Sequence, residues 1–163
     1  FDAHPDLRSS YAGEQFSHSA VMRRSFELGP KVSITSVGIR SVDRDTKKYI
    51  AEQTEKNTAH KSLDIFYAPD VPVEKIDKTL KENVYITIDL DAFDISIMPS
   101  VGTPQPGGLL WYQMLELMRK IAAAKNVVGF DVTELMPIPG NHAPDVLAAK
   151  LVYKLIGYFF SRQ

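Results

Sequence analysis

The alternation of short apolar runs with amphipathic segments constrains the fold of this chain more than any other feature. Four runs, at residues 31–39, 63–67, 84–90 and 127–132, have strand length and are rich in β-branched and other apolar side chains. Segments with helical spacing separate these runs. Strands that alternate with helices predict βαβ units and a mainly parallel sheet, so we expect an α/β fold.

Apolar spacing and end signals predict the helices. Gly29 favours a helix end just before it, and Pro144 suits the first turn of the last helix. Met114, Leu117 and Met118 follow the spacing of one helix face. Helices are therefore expected at residues 18–28, 44–56, 74–81, 110–121 and from 144 onward.

Composition and charge argue against several classes of protein. The 163 residues fit one domain, and the 44% hydrophobic content argues against disorder. Lysine plus arginine number 19 and aspartate plus glutamate 20, a net charge of −1, so we expect neither nucleic acid nor a membrane as a partner. The sequence has no cysteine and no apolar run long enough to span a bilayer, which fits a cytoplasmic protein without disulfides.

Acidic residues and one histidine cluster where strands should end. Asp2, His4 and Asp6 are spaced i, i+2, i+4, so on an extended strand all three point to one face. Asp89 and Asp91 repeat this spacing at the end of the third predicted strand. Ligands of parallel sheets bind beyond the carboxyl ends of the strands, so we expect one shared site. Each aspartate taken alone also suits a turn or a helix cap.

The spacing and charge of these residues favour two divalent cations. Same-face residues on a strand are about 6–7 Å apart, too far to surround one ion unless the backbone curls. Four carboxylates and a neutral histidine carry a charge of −4, which two divalent ions balance. Oxygen-rich ligation without sulfur suits Mg²⁺ or Mn²⁺, and the imidazole favours Mn²⁺.

Other residues are compatible with more than one role. His18 suits the capping region of a helix when the residues alone are considered. Glu134, at the end of a predicted strand, suits binding of a guanidinium or pairing with a surface lysine. The long loop at residues 91–108 contains three prolines and three glycines, and loops of this kind are usually functional.

Four segments together resemble the ureohydrolases, the arginase and agmatinase family. Residues 1–6 are similar to the Asp-Ala-His-x-Asp signature, and residues 88–94 to the Asp-x-Asp-x-x-Asp motif. Residues 99–109 are similar to the Gly-Thr-Pro-x-x-Gly-Gly-Leu segment, and residues 131–137 to the Glu-x-x-Pro segment. The resemblance spans essentially the whole chain and implies a three-layer α/β/α fold with a mainly parallel sheet.

The resemblance implies a binuclear manganese hydrolase. Asp2 and Asp89 would bridge two Mn²⁺ ions. His4 and Asp91 would ligate one ion, and Asp6, also a catalytic residue, would ligate the other. A hydroxide that bridges the metals would attack the guanidinium carbon of the substrate, and urea would leave.

The resemblance also implies roles on the substrate side. Glu134 would hold the guanidinium, with Thr103 as a second substrate-binding residue, and His18 would shuttle a proton to the leaving amine. Residues 17–24 are more similar to agmatinases than to arginases, and Arg8 stands where arginases carry a polar residue that contacts the amino-acid end of arginine. The implied substrate is agmatine, with putrescine and urea as products, which suggests a role in polyamine biosynthesis.

The chain departs from the family pattern in two places. Ile95 replaces the usual proline after the third aspartate of the second motif. Family members also carry an N-terminal region with further strands and a histidine that completes the ligands of the first metal. We therefore expect residues 1–163 to be the carboxyl-terminal part of a single ureohydrolase domain, with N-terminal strands missing. An exposed sheet edge would favour a homo-oligomer.

Three alternatives remain. Metallophosphoesterases also use Asp-x-His and Gly-Asn-His segments, and residues 140–142 match the second, but Asp89 and Asp91 are then unexplained. A single-zinc deacetylase of related fold would use aspartate and histidine ligands but fewer carboxylates. A non-catalytic or incomplete ureohydrolase fragment would keep the fold and have an empty or weakly loaded site.

Overall fold

The computed structural model describes residues 1–161. Its strands are β1 (Ile34–Ile39), β2 (Leu63–Tyr67), β3 (Asn83–Asp89) and β4 (Asn126–Thr133). All four predicted strands are confirmed. The largest difference is that β1 begins three residues later than expected, because residues 29–32 form a turn in which the Val32 N–H faces the Gly29 carbonyl at 3.5 Å.

Five α-helices lie between and after these strands, and each predicted helix is confirmed with small differences at its ends. They are α1 (Val21–Glu27), α2 (Arg44–Thr54), α3 (Val73–Thr79), α4 (Trp111–Ala124) and α5 (Ala143–Phe160). A 3₁₀ turn at His18–Ala20 leads into α1. Within residues 1–161, none of the helices combines the length and the apolar character that crossing a membrane requires.

The strands form two parallel pairs. β1 pairs with β2, and β3 pairs with β4, in two separate sheets of the described chain. Segment 1–3 lies between the two pairs. The Phe1 amino group donates to the Thr87 carbonyl at 2.9 Å, and the Asp89 N–H donates back to the Phe1 carbonyl at 2.9 Å. The Asp2 N–H donates to the Val37 carbonyl of β1 at 3.1 Å, so the order across the sheets is β2, β1, segment 1–3, β3, β4.

Below segment 1–3, a cleft separates the two strand pairs. Residues 34–37 of β1 and 84–87 of β3 line its opposite walls, and the cleft, which continues up to the ends of the strands, has a volume of about 760 Å³. We call the part between these walls the inter-sheet groove.

Helices cover both faces of the sheets, which confirms the three-layer architecture. On one face, Phe26 of α1 and Ile50 of α2 pack with Ile34 and Leu63. A larger core joins α3, α4 and α5 to β3 and β4. β1 contacts this second layer as well, because the Thr35 hydroxyl hydrogen-bonds the Thr79 hydroxyl of α3 at 2.9 Å.

Candidate metal centre

Three chain segments bring acidic side chains to one edge of the sheets. Segment 1–3 runs parallel to β3, and Asp2 lies beside the end of that strand. Asp89 ends β3, and Asp91 follows in the 3₁₀ turn Leu90–Ala92. Glu134 directly follows β4. These strands point the same way, so their carboxyl ends meet where the sequence placed the site.

Asp2, His4 and Asp91 form the tightest group in the site. One ligand atom from each lies within 4.8 Å of the other two. His4 Nδ1 lies 2.9 Å from Asp91 Oδ2 and 3.5 Å from Asp2 Oδ1. This convergence brings the predicted ligands of two separate motifs together.

The backbone curls immediately after segment 1–3, so residues 2–6 do not form the extended strand on which all three side chains would point to one face. The His4 N–H donates to Asp2 Oδ1 at 2.6 Å, which is the hydrogen bond of an Asx turn. Asp6 has a positive φ of 49°, and its carbonyl accepts from the N–H groups of Met22 and Arg23 at 3.1 and 3.2 Å. This curl allows side chains of one short segment to approach a common point.

Hydrogen bonds fix the Asp91 carboxylate, whose residue is only 2% exposed. The Ala3 N–H donates to Asp91 Oδ1 at 2.9 Å, and the Thr103 hydroxyl donates to Asp91 Oδ2 at 3.2 Å. The Asp91 N–H donates in turn to Asp89 Oδ1 at 2.8 Å. Because buried carboxylates are costly without such partners, these bonds stabilise the arrangement of ligands.

The site holds more negative charge than its own residues neutralise. Burial, followed by the charge of Asp2, raises the pKa of Asp6 to about 7 and that of Asp89 to about 8. Hydrogen bonds to Asp2 and Asp91 raise the pKa of His4 to about 10. Divalent cations relieve such repulsion and displace these protons. The donor set, oxygen-rich with one imidazole and no sulfur, fits Mn²⁺ or Mg²⁺.

Asp94, the third aspartate of its motif, has a different role. Its carboxylate accepts hydrogen bonds from the N–H groups of Ser96, Gly107 and Gly108 at 3.0, 2.8 and 3.2 Å. The bonds to Ser96, aided by those to the two glycines, lower the pKa of Asp94 to about 2. Asp94 therefore holds loop 103–108, which carries Thr103, against the turn that carries Asp91.

The predicted substrate-side residues lie at the mouth of the site. Glu134 and His18 both border the 760 Å³ cleft and a second, smaller cleft, and Asp6 borders both as well. Glu134 has a positive φ of 65°, and its carboxylate lies beside Gly102, where an added Cβ would be 3.7 Å from Oε2. The ring centroids of His18 and Tyr11 lie 5.4 Å apart, edge to face. Their substrate-side roles remain predictions.

Thr103 contacts a carboxylate of the site, whereas His142 lies outside it. The Thr103 hydroxyl donates to Asp91, and its predicted contact with substrate remains a prediction. His142, which the phosphoesterase alternative would use, is 85% exposed at the start of α5, with Nδ1 3.8 Å from Asp145. It does not belong to the cluster of Asp2, His4 and Asp91.

Sequence reasoning missed two features beside the site. Arg40, the residue directly after β1, donates to carbonyls of the Asp91 turn and of loop 103–108. A charged residue at the carboxyl end of a predicted strand was the signal that could have found it. Asp43, which caps α2, pairs with Arg8 at 3.1 Å on the border of the smaller cleft.

The fold and the site thus define an α/β chain with a carboxylate–histidine cluster, a candidate metal centre, at the carboxyl ends of its strands. The chain belongs to the arginase family, whose family model matches residues 1–157. This membership favours the ureohydrolase interpretation over the phosphoesterase and deacetylase alternatives.

Individual relatives agree with this assignment. An N(1)-aminopropylagmatine ureohydrolase from Synechocystis sp. is 37% identical and aligns with 99% of this chain and 52% of that protein. An agmatinase from Pyrococcus horikoshii is 39% identical, over 96% of this chain and 53% of that protein. The crystal structure of agmatine ureohydrolase from Thermoplasma volcanium superposes with a TM-score of 0.80 at 34% identity, over 96% of this chain and 52% of that chain. The chain therefore spans about half the length of the curated relatives it matches.

Proposed function

We propose that the protein is a ureohydrolase that cleaves the guanidino group of agmatine to putrescine and urea with two Mn²⁺ ions. The convergence of Asp2, His4 and Asp91 on one point, with the half-buried carboxylates of Asp6 and Asp89 in the same site, carries this proposal. Family membership supports the reaction class, and the relatives named agmatinase and aminopropylagmatine ureohydrolase support the kind of substrate.

Five residues of this chain would hold the ions. Asp2 and Asp89 would contact both ions, His4 and Asp91 one of them, and Asp6 the other. Two divalent cations supply positive charge that lowers the pKa of water and makes it a nucleophile at neutral pH. The contribution of the chain is to orient these carboxylates, as the bonds from Ala3 and Thr103 to Asp91 already do.

Glu134 would orient the guanidinium of the substrate. Its carboxylate lies at the mouth of an acidic cleft, and a carboxylate binds a guanidinium through paired, charge-assisted hydrogen bonds. His18 borders the same cleft, and imidazole is the side chain suited to carry protons between pH 5 and 8. His18 would therefore hold the proton that the leaving amine takes up.

The charges at the rim favour a substrate with a cationic tail over one with an α-carboxylate. Arg8, which borders the smaller cleft, already pairs with Asp43 at 3.1 Å and lies over the Tyr11 ring at 5.5 Å, so its charge is partly neutralised. The cleft is bordered by several acidic side chains, which attract the ammonium of agmatine.

Urea release tests this proposal. The protein with Mn²⁺ is expected to release urea from agmatine or from N(1)-aminopropylagmatine, and much more slowly from arginine. Hydrolysis of a phosphate ester without urea release would contradict the proposal. Bound Mn²⁺ without urea release from any of the three substrates would favour the non-catalytic alternative.

A Glu134→Gln variant separates substrate binding from metal binding. Loss of one charge-assisted pair is expected to lower kcat/KM about 10- to 100-fold. Mn²⁺ affinity should stay near that of the unchanged protein. Steady-state urea release and Mn²⁺ titration measure the two effects, with the exposed Asp70→Asn as a control that should change neither. An unchanged kcat/KM would exclude Glu134 from the site.

A further inference from the structure

Arg40 lies beside the metal centre without belonging to the ligand set. It directly follows β1, and its backbone N–H donates to the Ala3 carbonyl at 2.9 Å. The side chain therefore begins next to the segment that carries Asp2 and His4. Burial lowers the pKa of Arg40 from its usual value, but an arginine guanidinium stays charged in proteins.

The hydrogen bonds of this guanidinium, within residues 1–161, all go to backbone carbonyls. Because backbone carbonyls have fixed positions in the fold, they hold the charged Arg40 guanidinium in one place. The five bonds are Nε to Pro106 O (2.9 Å), Nη1 to Gly38 O (3.1 Å), and Nη2 to Asp91 O (2.7 Å), Phe93 O (3.2 Å) and Gln105 O (2.7 Å).

These carbonyls belong to three segments of the chain whose relative positions determine the geometry of the site. Gly38 lies in β1, and Asp91 and Phe93 lie in and after the turn that ends β3. The other two carbonyls belong to loop 103–108. The Thr103 hydroxyl of the same loop donates to Asp91 Oδ2. Arg40 therefore contacts both the turn that carries the Asp91 carboxylate and the loop whose Thr103 holds that carboxylate.

Asp94, a negatively charged residue, holds the same loop through the loop's N–H groups. Its carboxylate accepts from the N–H groups of Gly107 and Gly108, while Arg40 donates to the carbonyls of the two residues just before them. The loop is therefore held by a cation at its carbonyls and by an anion at its N–H groups. Loss of Arg40 would leave partly buried carbonyls without their charged donor.

We propose that Arg40 is a positioning residue that fixes Asp91 and Thr103 for metal binding by tying the Asp91 turn to loop 103–108. This inference rests on the proposed binuclear metal centre. It predicts that removing the guanidinium weakens the ion held by Asp91, although Arg40 itself touches no ligand oxygen.

Mn²⁺ titration of three variants tests the inference. Isothermal titration gives the affinity and the number of ions, and electron paramagnetic resonance reports the signal of two neighbouring Mn²⁺ ions. Arg40→Met should weaken one of the two ions about 10- to 100-fold and diminish the coupled signal. Arg40→Lys, which keeps the charge but not the five N–H donors of the guanidinium, should have a Mn²⁺ affinity between those of Arg40→Met and the unchanged protein. Arg119→Met removes an exposed guanidinium from α4 and should bind as the unchanged protein does.

A double-mutant cycle distinguishes positioning from general stabilisation. Thr103→Val should lower Mn²⁺ affinity in the unchanged protein and much less in the Arg40→Met background, because Arg40 acts through the loop that carries Thr103. If Arg40→Met does not fold, the same cycle with Arg40→Lys provides the measurement.

Two results would overturn the inference. One is binding of both ions by Arg40→Met with unchanged affinity, and the other is an equal cost of Thr103→Val in both backgrounds. Failure of the unchanged protein to bind Mn²⁺ would instead refute the proposed function, and the positioning role with it.

Discussion

The metal centre and the inter-sheet groove lie along the same two strands, β1 and β3, but they are held in different ways. At the carboxyl ends, segment 1–3 pairs with both strands and joins them through backbone hydrogen bonds. Lower down, within the described chain, the two strands belong to separate sheets. Within the described chain, the predicted metal ligands are therefore held together by three paired residues and by side-chain hydrogen bonds.

Backbone direction in the groove follows from the parallel ladders. In a parallel strand, the N–H and C=O of one residue face one neighbour, and those of the next residue face the other. The Ile34 N–H donates to the Ser62 carbonyl, just before β2, so the backbone N–H and C=O groups of Thr35 and Val37 point away from β2, toward the groove. The Thr87 carbonyl accepts from Phe1, so the backbone N–H and C=O groups of Tyr85, two residues earlier, also point toward the groove.

The largest expected effect comes from breaking the metal centre while leaving the groove intact. Asp89→Asn removes the charge of a carboxylate that would contact both ions. We expect Mn²⁺ affinity to fall at least about 100-fold, since even the loss of a group that only supports a ligand costs 10- to 100-fold. Isothermal titration measures it, with Asp70→Asn as the isosteric control at an exposed site. Unchanged affinity in Asp89→Asn would remove this residue from the ligand set.

A second prediction tests the packing that supports the centre. An added Cβ at Gly108 would lie 2.4 Å from the Phe93 carbonyl carbon, so Gly108→Ala must push the loop away. We expect a loss of about 2–3 kcal/mol in the free energy of unfolding. Gly157→Ala in α5, where an added Cβ meets nothing within 4 Å, should instead stabilise by about 0.5–1 kcal/mol. Denaturant unfolding compares them, and equal effects would contradict the close approach at Gly108.

The stability of the metal-free protein should depend on pH through the metal centre. The pKa values of Asp6 and Asp89, raised by burial to about 7 and about 8, mean that the folded state holds protons that the unfolded chain releases near pH 4. The folded state binds more protons between about pH 4 and 8, so these groups make the free energy of unfolding fall as pH rises through that window. His4, with its pKa raised to about 10, acts in the same direction above about pH 6.5.

Thermal unfolding in a chelator, compared at pH 5.5 and pH 8, measures this dependence. We expect Tm to fall with rising pH and the fall to be smaller in Asp6→Asn. Added Mn²⁺ should raise Tm more at pH 8 than at pH 5.5, because the ligands bind metal when deprotonated. A pH dependence that is the same in Asp6→Asn would contradict the assignment of these protons to the site.

The smallest predicted effect lies in the groove. The N–H groups of Thr35 and Tyr85 face the groove, whereas those of Ser36 and Ile86 face strand partners. The first pair should exchange with solvent at least about tenfold faster than the second, as measured by amide hydrogen exchange. Equal protection of the four amides would mean that the groove walls are paired, and the contrast with the metal centre would disappear.

The sequence predicted the parts of the molecule that depend on local pattern. Apolar runs located the four strands, and the i, i+2 spacing singled out Asp2, His4 and Asp91, whose side chains lie close together in the structure. The curl at His4 was not predicted, because the hydrogen bond from its N–H to Asp2 competes with the extended conformation. Arg40 was missed because most of its hydrogen-bond acceptors lie 51 to 66 residues away along the chain, so its position just after a predicted strand was the one local signal for it.

We expect this edge of the sheets to hold two metal ions. Crystals grown with MnCl₂, with diffraction data collected on both sides of the manganese absorption edge, test this expectation most directly. We expect two anomalous peaks a few ångströms apart, both beside Asp2 and Asp89, one also beside His4 and Asp91 and the other beside Asp6. A single peak, or no peak beside Asp2 and Asp89, would contradict the binuclear centre.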